Sequence, residues 1–171
     1  EAYISKDVLN RSIKIRPHSL FSVADYDRTI RLLTDLNVFQ YVRVRYVQTK
    51  DSTGKSIVNA VILLSPNKKY DFNHNVEVSG GDIYVFGMAT NASITNKNLF
   101  KAANQFTTTI SYGLAMESVR PRELKLFSQT FGVNMGLTVP RFWLLNPEMF
   151  GSNLGTRTII NGGANYMNRA D

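Results

Sequence analysis

The sequence contains no cysteine among its 171 residues. Disulfide frameworks, thiolate metal sites and thiol catalysis are therefore excluded. No continuous apolar run approaches the roughly 18 to 20 residues of a membrane-spanning helix, which excludes a helical membrane protein. The 20 Lys and Arg residues outnumber the 13 Asp and Glu residues, but they are scattered. Without a basic block or stripe, we expect no nucleic-acid partner.

Side chains for catalysis and metal binding are also scarce. The two histidines, His18 and His74, are far apart in sequence, and no Ser/His/Asp combination or metal-ligand spacing can be assembled around them. The segment 53–56 imitates the end of a phosphate-binding loop, but Thr49 stands where the first glycine is needed. We therefore expect no enzyme activity, no catalytic residue, no metal and no cofactor.

The first part of the chain, to about Lys69, has mixed helix and strand signals. Ser5 precedes a short helical run, and Ser22 has the pattern of an N-cap with Asp25 three residues later. Alternating residues and a polar turn then predict two strands. The predicted order is helix, helix, strand, strand, with the first helix over Lys6–Ile13, the second after Ser22, and the strands over Tyr41–Gln48 and Ile57–Ser65.

The second part, residues 70–171, has only strand signals, and these alternate strictly. In Phe106–Glu117 and Ser128–Val139, large apolar residues occupy one face and small or polar residues the other. A transmembrane β-barrel strand shows this pattern over about ten residues, but a strand of a soluble sandwich alternates too. Periodicity alone leaves both environments open. The predicted strands cover about 70–79, 83–95, 106–117, 127–139 and 157–168, with a charged loop over Glu117–Leu126.

Five strands are too few for a membrane barrel, because the smallest closed ones need about eight. We therefore expect the barrel to be incomplete in this chain. Glu1 is not an initiator Met, and no signal peptide precedes it in the sequence. We therefore expect the sequence to start at an internal cut in a longer chain.

Several motifs in order resemble one family. Three of them are the spacing from Tyr26-Asp27-Arg28-Thr29-Ile30 to Val38-Phe39, the Asn98-Leu99-Phe100 turn with Ala102-Ala103, and Pro140-Arg141-Phe142. In this order they are similar to the BamA/TamA-type outer-membrane assembly proteins, particularly Bacteroidetes-like ones. Thr156-Arg157-Thr158 and Asn165-Tyr166-Met167 fit the same resemblance. It implies that residues 1–69 are the last POTRA domain, an α+β unit whose first strand is mostly missing, and that residues 70–171 begin an antiparallel transmembrane β-barrel.

The resemblance further implies assembly and insertion of β-barrel proteins into the bacterial outer membrane, with the POTRA part in the periplasm. The implied partners are unfolded outer-membrane protein clients, accessory assembly proteins and outer-membrane lipid. Clients would pair with the backbone edge of the first barrel strand, and the POTRA strand could add a strand in the same way. The candidate residues are Tyr70, Phe72, His74, Val76 and Val78 for the barrel edge, Tyr41, Arg43, Arg45 and Val47 for the POTRA edge, and Phe100, Phe142 and Trp143 for a periplasmic aromatic belt.

Other interpretations stay open. The first barrel strand could belong to a stable pore, and Arg43 and Arg45 could be a solvated face. A barrel of the same superfamily that exports or anchors a fused soluble domain is a second functional hypothesis, and a soluble α+β binding module is a third. Flanking sequence separates the first two hypotheses, and dependence on detergent separates the third.

Overall fold

The computed structural model describes residues 3–50, 56–81, 85–120, 123–140 and 157–170. These residues form mostly antiparallel strands with two short helices. One sheet has the order β1-β2 and the other β3-β4-β5-β6-β7. Neither helix has the length and hydropathy needed to cross a membrane, and the described ranges contain no other helix. The elements are α1 (Lys6–Ser12), α2 (Val23–Asp35), β1 (Phe39–Lys50), β2 (Ser56–Pro66), β3 (Tyr70–Ser79), β4 (Phe86–Leu99), β5 (Asn104–Arg120), β6 (Glu123–Val139) and β7 (Thr158–Arg169).

The chain divides into two compact units. The first contains Glu1–Lys69 together with Lys97–Asn104 and Val139–Thr158, and the second contains Tyr70–Asn96, Gln105–Thr138 and Ile159–Asp171. We expected a single boundary near residue 69. The turn between β4 and β5 departs from that expectation, because it clusters with the helices rather than with the five-stranded sheet.

Both helices begin where the sequence places their caps. The Ser5 hydroxyl accepts a bond from Asp7 N at 3.4 Å, and the Ser22 hydroxyl accepts one from Asp25 N at 3.3 Å. Each serine satisfies a backbone donor that has no partner within the helix. The second helix ends before Asn37, whose φ of 55° is the left-handed conformation common after a helix.

The core of the first unit lies between α2 and the β1–β2 sheet. In β1 the burial alternates, so that Val42, Val44 and Tyr46 point inward and the intervening residues point outward. From α2, Thr29 and Leu33 are fully buried. The alternation of apolar and polar residues in the sequence predicts this inward face correctly. The buried cluster consists of Ile4, Leu33, Leu36, Val38, Phe39 and Ala103.

Ala103 belongs to this cluster because the β4–β5 turn is bound to the start of the chain. Asn98, only 3% exposed, donates from Nδ2 to Tyr3 O at 2.7 Å and accepts at Oδ1 from Ala103 N at 3.1 Å. A backbone bond of 2.8 Å runs from Ser5 N to Lys101 O. One amide side chain thus joins two segments that are 95 residues apart.

The turn adopts a backbone that its residues do not favour by themselves. Phe100, Lys101 and Ala103 have φ values of 58°, 56° and 57°. Each left-handed non-glycine residue costs about 1 kcal/mol. The Asn98 bonds and the burial of Ala103 offset that strain, so this conformation depends on the first unit.

In the second unit, the strands share a register that separates two faces. Phe72, Val76 and Val78 lie opposite Ile94, Thr90 and Met88, and the same alternation continues through β5 and β6. The outer face is apolar and the inner face is small or polar. The exposed apolar residues of that outer face include Phe72, Val76, Val78, Met88, Ile94, Ile110, Tyr112, Phe131, Met135, Ile160 and Tyr166.

The strand ends differ from the predicted ones in two places. β4 continues to Leu99, and its predicted start at residues 83–84 lies outside the described residues. The charged loop predicted over Glu117–Leu126 is largely strand, because β5 extends to Arg120 and β6 begins at Glu123. Pairing continues past an irregularity at Ala115/Met116 and sets Glu117 opposite Lys125, an opposite-charge pair that favours the ladder.

The first POTRA strand that the resemblance implies is mostly missing, and only Glu1–Ile4 could represent it. Its first two residues lie outside the described part of the chain, and Tyr3 and Ile4 form a bend. Ile4 nevertheless enters the core, and the Tyr3 hydroxyl donates to Asn67 O at 2.9 Å. The start of the chain therefore contributes packing and hydrogen bonds to the first unit.

Asn98→Ala should destabilise the first unit by about 1–3 kcal/mol, because it leaves Tyr3 O and Ala103 N without their side-chain partner. The measurement is the urea midpoint of the purified protein. Asn59→Ala is the matched control, since Asn59 is exposed and its amide makes a single 3.3 Å bond to Thr49. Equal midpoints for the two variants would show that the turn is not held by Asn98.

Candidate functional site

The first strand of the large sheet, β3, lies at its edge. It has one strand neighbour, β4, and pairs with it without interruption from Tyr70↔Asn96 to Ser79↔Gly87. Nine of its ten residues are exposed in the described structure. A strand at the edge of a sheet offers backbone groups on one side to an incoming strand. β7 forms the opposite edge.

The five residues predicted on this edge share one face. Tyr70, Phe72, Val76 and Val78 are all exposed apolar or aromatic side chains. His74 is the polar exception, and its Nε2 lies 2.9 Å from the Thr90 hydroxyl of β4. The structure thus places the five residues along one face of a strand, because every second side chain of a strand points to the same side.

The other face of β3 is polar. Asp71, Asn73, Asn75 and Glu77 alternate with the apolar set, and their partners on β4 are Thr95, Ser93, Asn91 and Ala89. The partners are small and uncharged. Further into the sheet, the Thr95 and Thr107 hydroxyls lie 3.0 Å apart. The polar face therefore continues from β3 across the strands behind it.

Asparagine side chains of β6 and β7 lie over glycines of the neighbouring strand. A Cβ on Gly132 would collide with Asn165 Oδ1 and Ser111 Oγ, and a Cβ on Gly163 would collide with Asn134 Oδ1. At Gly136 the corresponding distance to Asn161 Oδ1 is 2.8 Å. We call these three contacts the Asn–Gly pairs. Each glycine leaves the space that the opposite amide occupies.

The seam between β6 and β7 has further contacts beyond the Asn–Gly pairs. Ala170 N donates to Phe127 O at 2.9 Å, and the Arg169 guanidinium lies 4.9 Å from the centroid of the Phe127 ring. By contrast, β3 contains no glycine, so it cannot receive an amide in this way. Amide-over-glycine contacts therefore occur at the β7 edge and not on β3.

Sequence reasoning missed the Asn–Gly pairs, although a signal exists. Gly and Asn alternate at every second position of both strands, as Gly132, Asn134 and Gly136 in β6 and as Asn161, Gly163 and Asn165 in β7. Alternation of two small residue types within each strand is visible in the sequence. Their offset across the strands depends on the register, which the sequence does not state.

The second predicted pairing edge lies on β1. Tyr41, Arg43, Arg45 and Val47 are exposed and alternate with the buried face, and β1 pairs with β2 on one side. Next to them, burial raises the pKa of the Tyr46 hydroxyl, with smaller contributions from Tyr26 and Asp25.

Of the predicted aromatic belt, only Phe100 lies in the described residues. Its ring is 84% exposed at the tip of the β4–β5 turn. Phe142 and Trp143 lie outside the described residues. Within the described residues, no group of three or more His, Asp or Glu side chains comes together.

Gly163→Ala should lower the unfolding free energy by about 1–3 kcal/mol, because the new methyl displaces Asn134 from its position. The measurement is the urea midpoint in detergent micelles. Gly162→Ala is the adjacent control, since a Cβ there meets no atom within 4 Å.

The double variant Asn134→Ala/Gly163→Ala should recover part of the loss caused by Gly163→Ala, because two groups in contact are not additive. Equal midpoints for the two glycine variants would contradict the Asn–Gly pairs.

Comparison with known proteins gives likenesses among solved structures alone. No protein-family model matches the sequence, and no curated protein matches it significantly. Among solved structures, the chain is similar to the crystal structure of BamA from Haemophilus ducreyi lacking POTRA domains 1–3, with 12% identity and a TM-score of 0.41. The match covers 98% of this chain, which spans 42% of that one. A likeness this distant carries no argument about activity.

Proposed function

We propose that this chain is part of an outer-membrane protein that assembles and inserts β-barrel proteins, using the edge of β3 to pair with client strands. The observation that carries the proposal is a sheet with one predominantly apolar exposed face, whose first strand is exposed at nine of its ten residues. The first unit would lie in the periplasm. Unfolded outer-membrane proteins and accessory assembly proteins would be the partners.

The apolar face supports a lipid environment. Soluble proteins rarely leave a continuous apolar patch of more than a few hundred Å² in water. The exposed residues of this face come from all five strands of the sheet, and no second layer covers them within the described residues. A soluble sandwich would need such a layer. Hydrocarbon is the environment that this face suits.

Strand exchange at β3 needs no catalytic side chain. An unpaired backbone N–H or C=O group costs several kcal/mol in hydrocarbon, so a client strand gains from any edge that offers partners. Because the pairing is through the main chain, clients of diverse sequence can use it. Alternation of apolar and polar residues along β3 would select clients with the same period.

The two edges of the sheet carry different side-chain contacts. β7 is joined to β6 by the Asn–Gly pairs and by Arg169 over Phe127. β3 pairs with β4 through a regular backbone ladder, with the His74–Thr90 contact and a bond from the Thr90 hydroxyl to Asn75 O beside it. The exposed outer edge of β1, with Arg43 and Arg45, is a second place where a chain could be received before it reaches the sheet.

Cross-linking tests the proposal directly, because a chain without cysteine accepts one cysteine at a chosen position. Full-length protein carrying Val76→Cys would be reconstituted in proteoliposomes and mixed with an unfolded outer-membrane protein that has a cysteine in its terminal strand. We expect a disulfide when a thiol oxidant is added during client folding, and much less of it when the oxidant is added after the client has completed its barrel. Ile110→Cys, exposed on the same apolar face of inner strand β5, is the matched control.

Heat-modifiable migration would first verify that each cysteine variant is folded. Cross-links to Val76→Cys that exceed those to Ile110→Cys support pairing at β3. Equal yields at the two positions, or client folding with no cross-link to β3, would sink the proposed mechanism.

A further inference from the structure

The α1–α2 loop, Ile13–Ser22, exposes apolar side chains that the proposed strand pairing does not use. Leu20 is 95% exposed and Phe21 is 60% exposed, and Val23 at the first position of α2 is 61% exposed. Burying such side chains in water-excluded surroundings is favourable. Two exposed apolar residues in the loop and a third just after it therefore indicate a contact surface.

The same loop is basic. Lys14 and Arg16 lie in it, and no Asp or Glu occurs between Asp7 and Asp25. Within the described residues, neither cation has an ion-pair partner. Lys14 and Arg16 also line a shallow depression of about 350 Å³, together with Asn10, Ile13, Ile15 and Pro17. A phosphate-bearing group would meet two cations and no carboxylate in its lining.

The loop is held in place by the fold. Lys14 N donates to the Thr29 hydroxyl at 3.0 Å, and Thr29 is fully buried. The Ser19 hydroxyl donates to Arg16 O at 2.8 Å and closes the turn between the cations and Leu20. The Phe21 ring packs edge-on against Tyr46, with centroids 4.9 Å apart. The apolar and basic parts of the loop are therefore presented together.

The first unit joins the large sheet through a short connection. β2 ends at Pro66 and β3 begins at Tyr70, so only Asn67–Lys69 separates them. Within the first unit, the Asn67 N–H donates to Val38 O at 2.9 Å. If the large sheet lies in lipid, lipid headgroups are a partner that is always present for the first unit.

We infer that the α1–α2 loop is a binding site for an anionic lipid surface, in which Leu20 and Phe21 enter the interfacial region and Lys14 and Arg16 contact phosphate headgroups. This inference rests on the proposed membrane location of the large sheet. Peripheral sites combine apolar side chains with cations in this way, and each cation near an anionic surface strengthens binding about fivefold. The site would hold the first unit at the membrane surface.

A fluorescent label at Leu20 tests the inference. Full-length protein with Leu20→Cys, labelled with an environment-sensitive dye, would be inserted into vesicles of phosphatidylethanolamine with or without phosphatidylglycerol. We expect a blue shift only with phosphatidylglycerol, reversed by high salt. Lys14→Ala/Arg16→Ala should require about 25-fold more anionic lipid surface for half the shift, as two independent fivefold effects multiply. Leu63→Cys, an exposed leucine of β2, is the control and should not respond.

Each other outcome is decisive as well. No shift at Leu20, equal shifts in both vesicle types, equal shifts at Leu63, or a shift produced only by added unfolded client would overturn the lipid site. Heat-modifiable migration on the same samples separates the two proposals. An inserted sheet with a silent Leu20 label removes only the lipid site, whereas a sheet that never inserts removes the proposed function.

Discussion

Side-chain alternation along paired strands is the constraint on which the rest of this structure depends. Successive residues of a strand point to opposite faces, so a fixed register aligns every second residue across the whole sheet. From β3 to β6, this sets Phe72 with Ile94 and Ile110 with Val133 on the apolar face. A slip of one residue would move the apolar set to the polar face. The proposed use of β3 relies on the same rule, since a client must match its period.

Register is secured differently at the two edges of the large sheet. At the β7 edge, asparagines occupy the space above glycines, and small changes in side-chain volume disturb the fit. At the β3 edge, the ladder to β4 is regular, and β3 has no glycine over which an amide could lie. The two edges of one sheet therefore carry different side-chain contacts.

The first unit is built around contacts that bring distant segments together. Asn98 joins the β4–β5 turn to Tyr3, and Ala103 completes the core beside Leu33 and Val38. The unit that carries the basic loop therefore also includes the turn of a hairpin from the large sheet. Anything that moves that turn must break the Asn98 hydrogen bonds or carry the start of the chain with it.

By itself, the sequence determined the local features: the serine caps of both helices, the inward face of β1, and the β3 range with its apolar and polar faces. These features follow from short-range chemistry and from the periodicity of apolar residues, and both can be read from the linear sequence. Only the tertiary structure decided that Asn98 is buried against Tyr3, that Asn134 lies over Gly163, and that β5 and β6 continue through the predicted loop. Those outcomes depend on pairs of residues far apart in the chain, whose registers and packing no single segment specifies. The exposure of Leu20 belongs with them, because a leucine in a loop is apolar in any fold, and only packing leaves it uncovered.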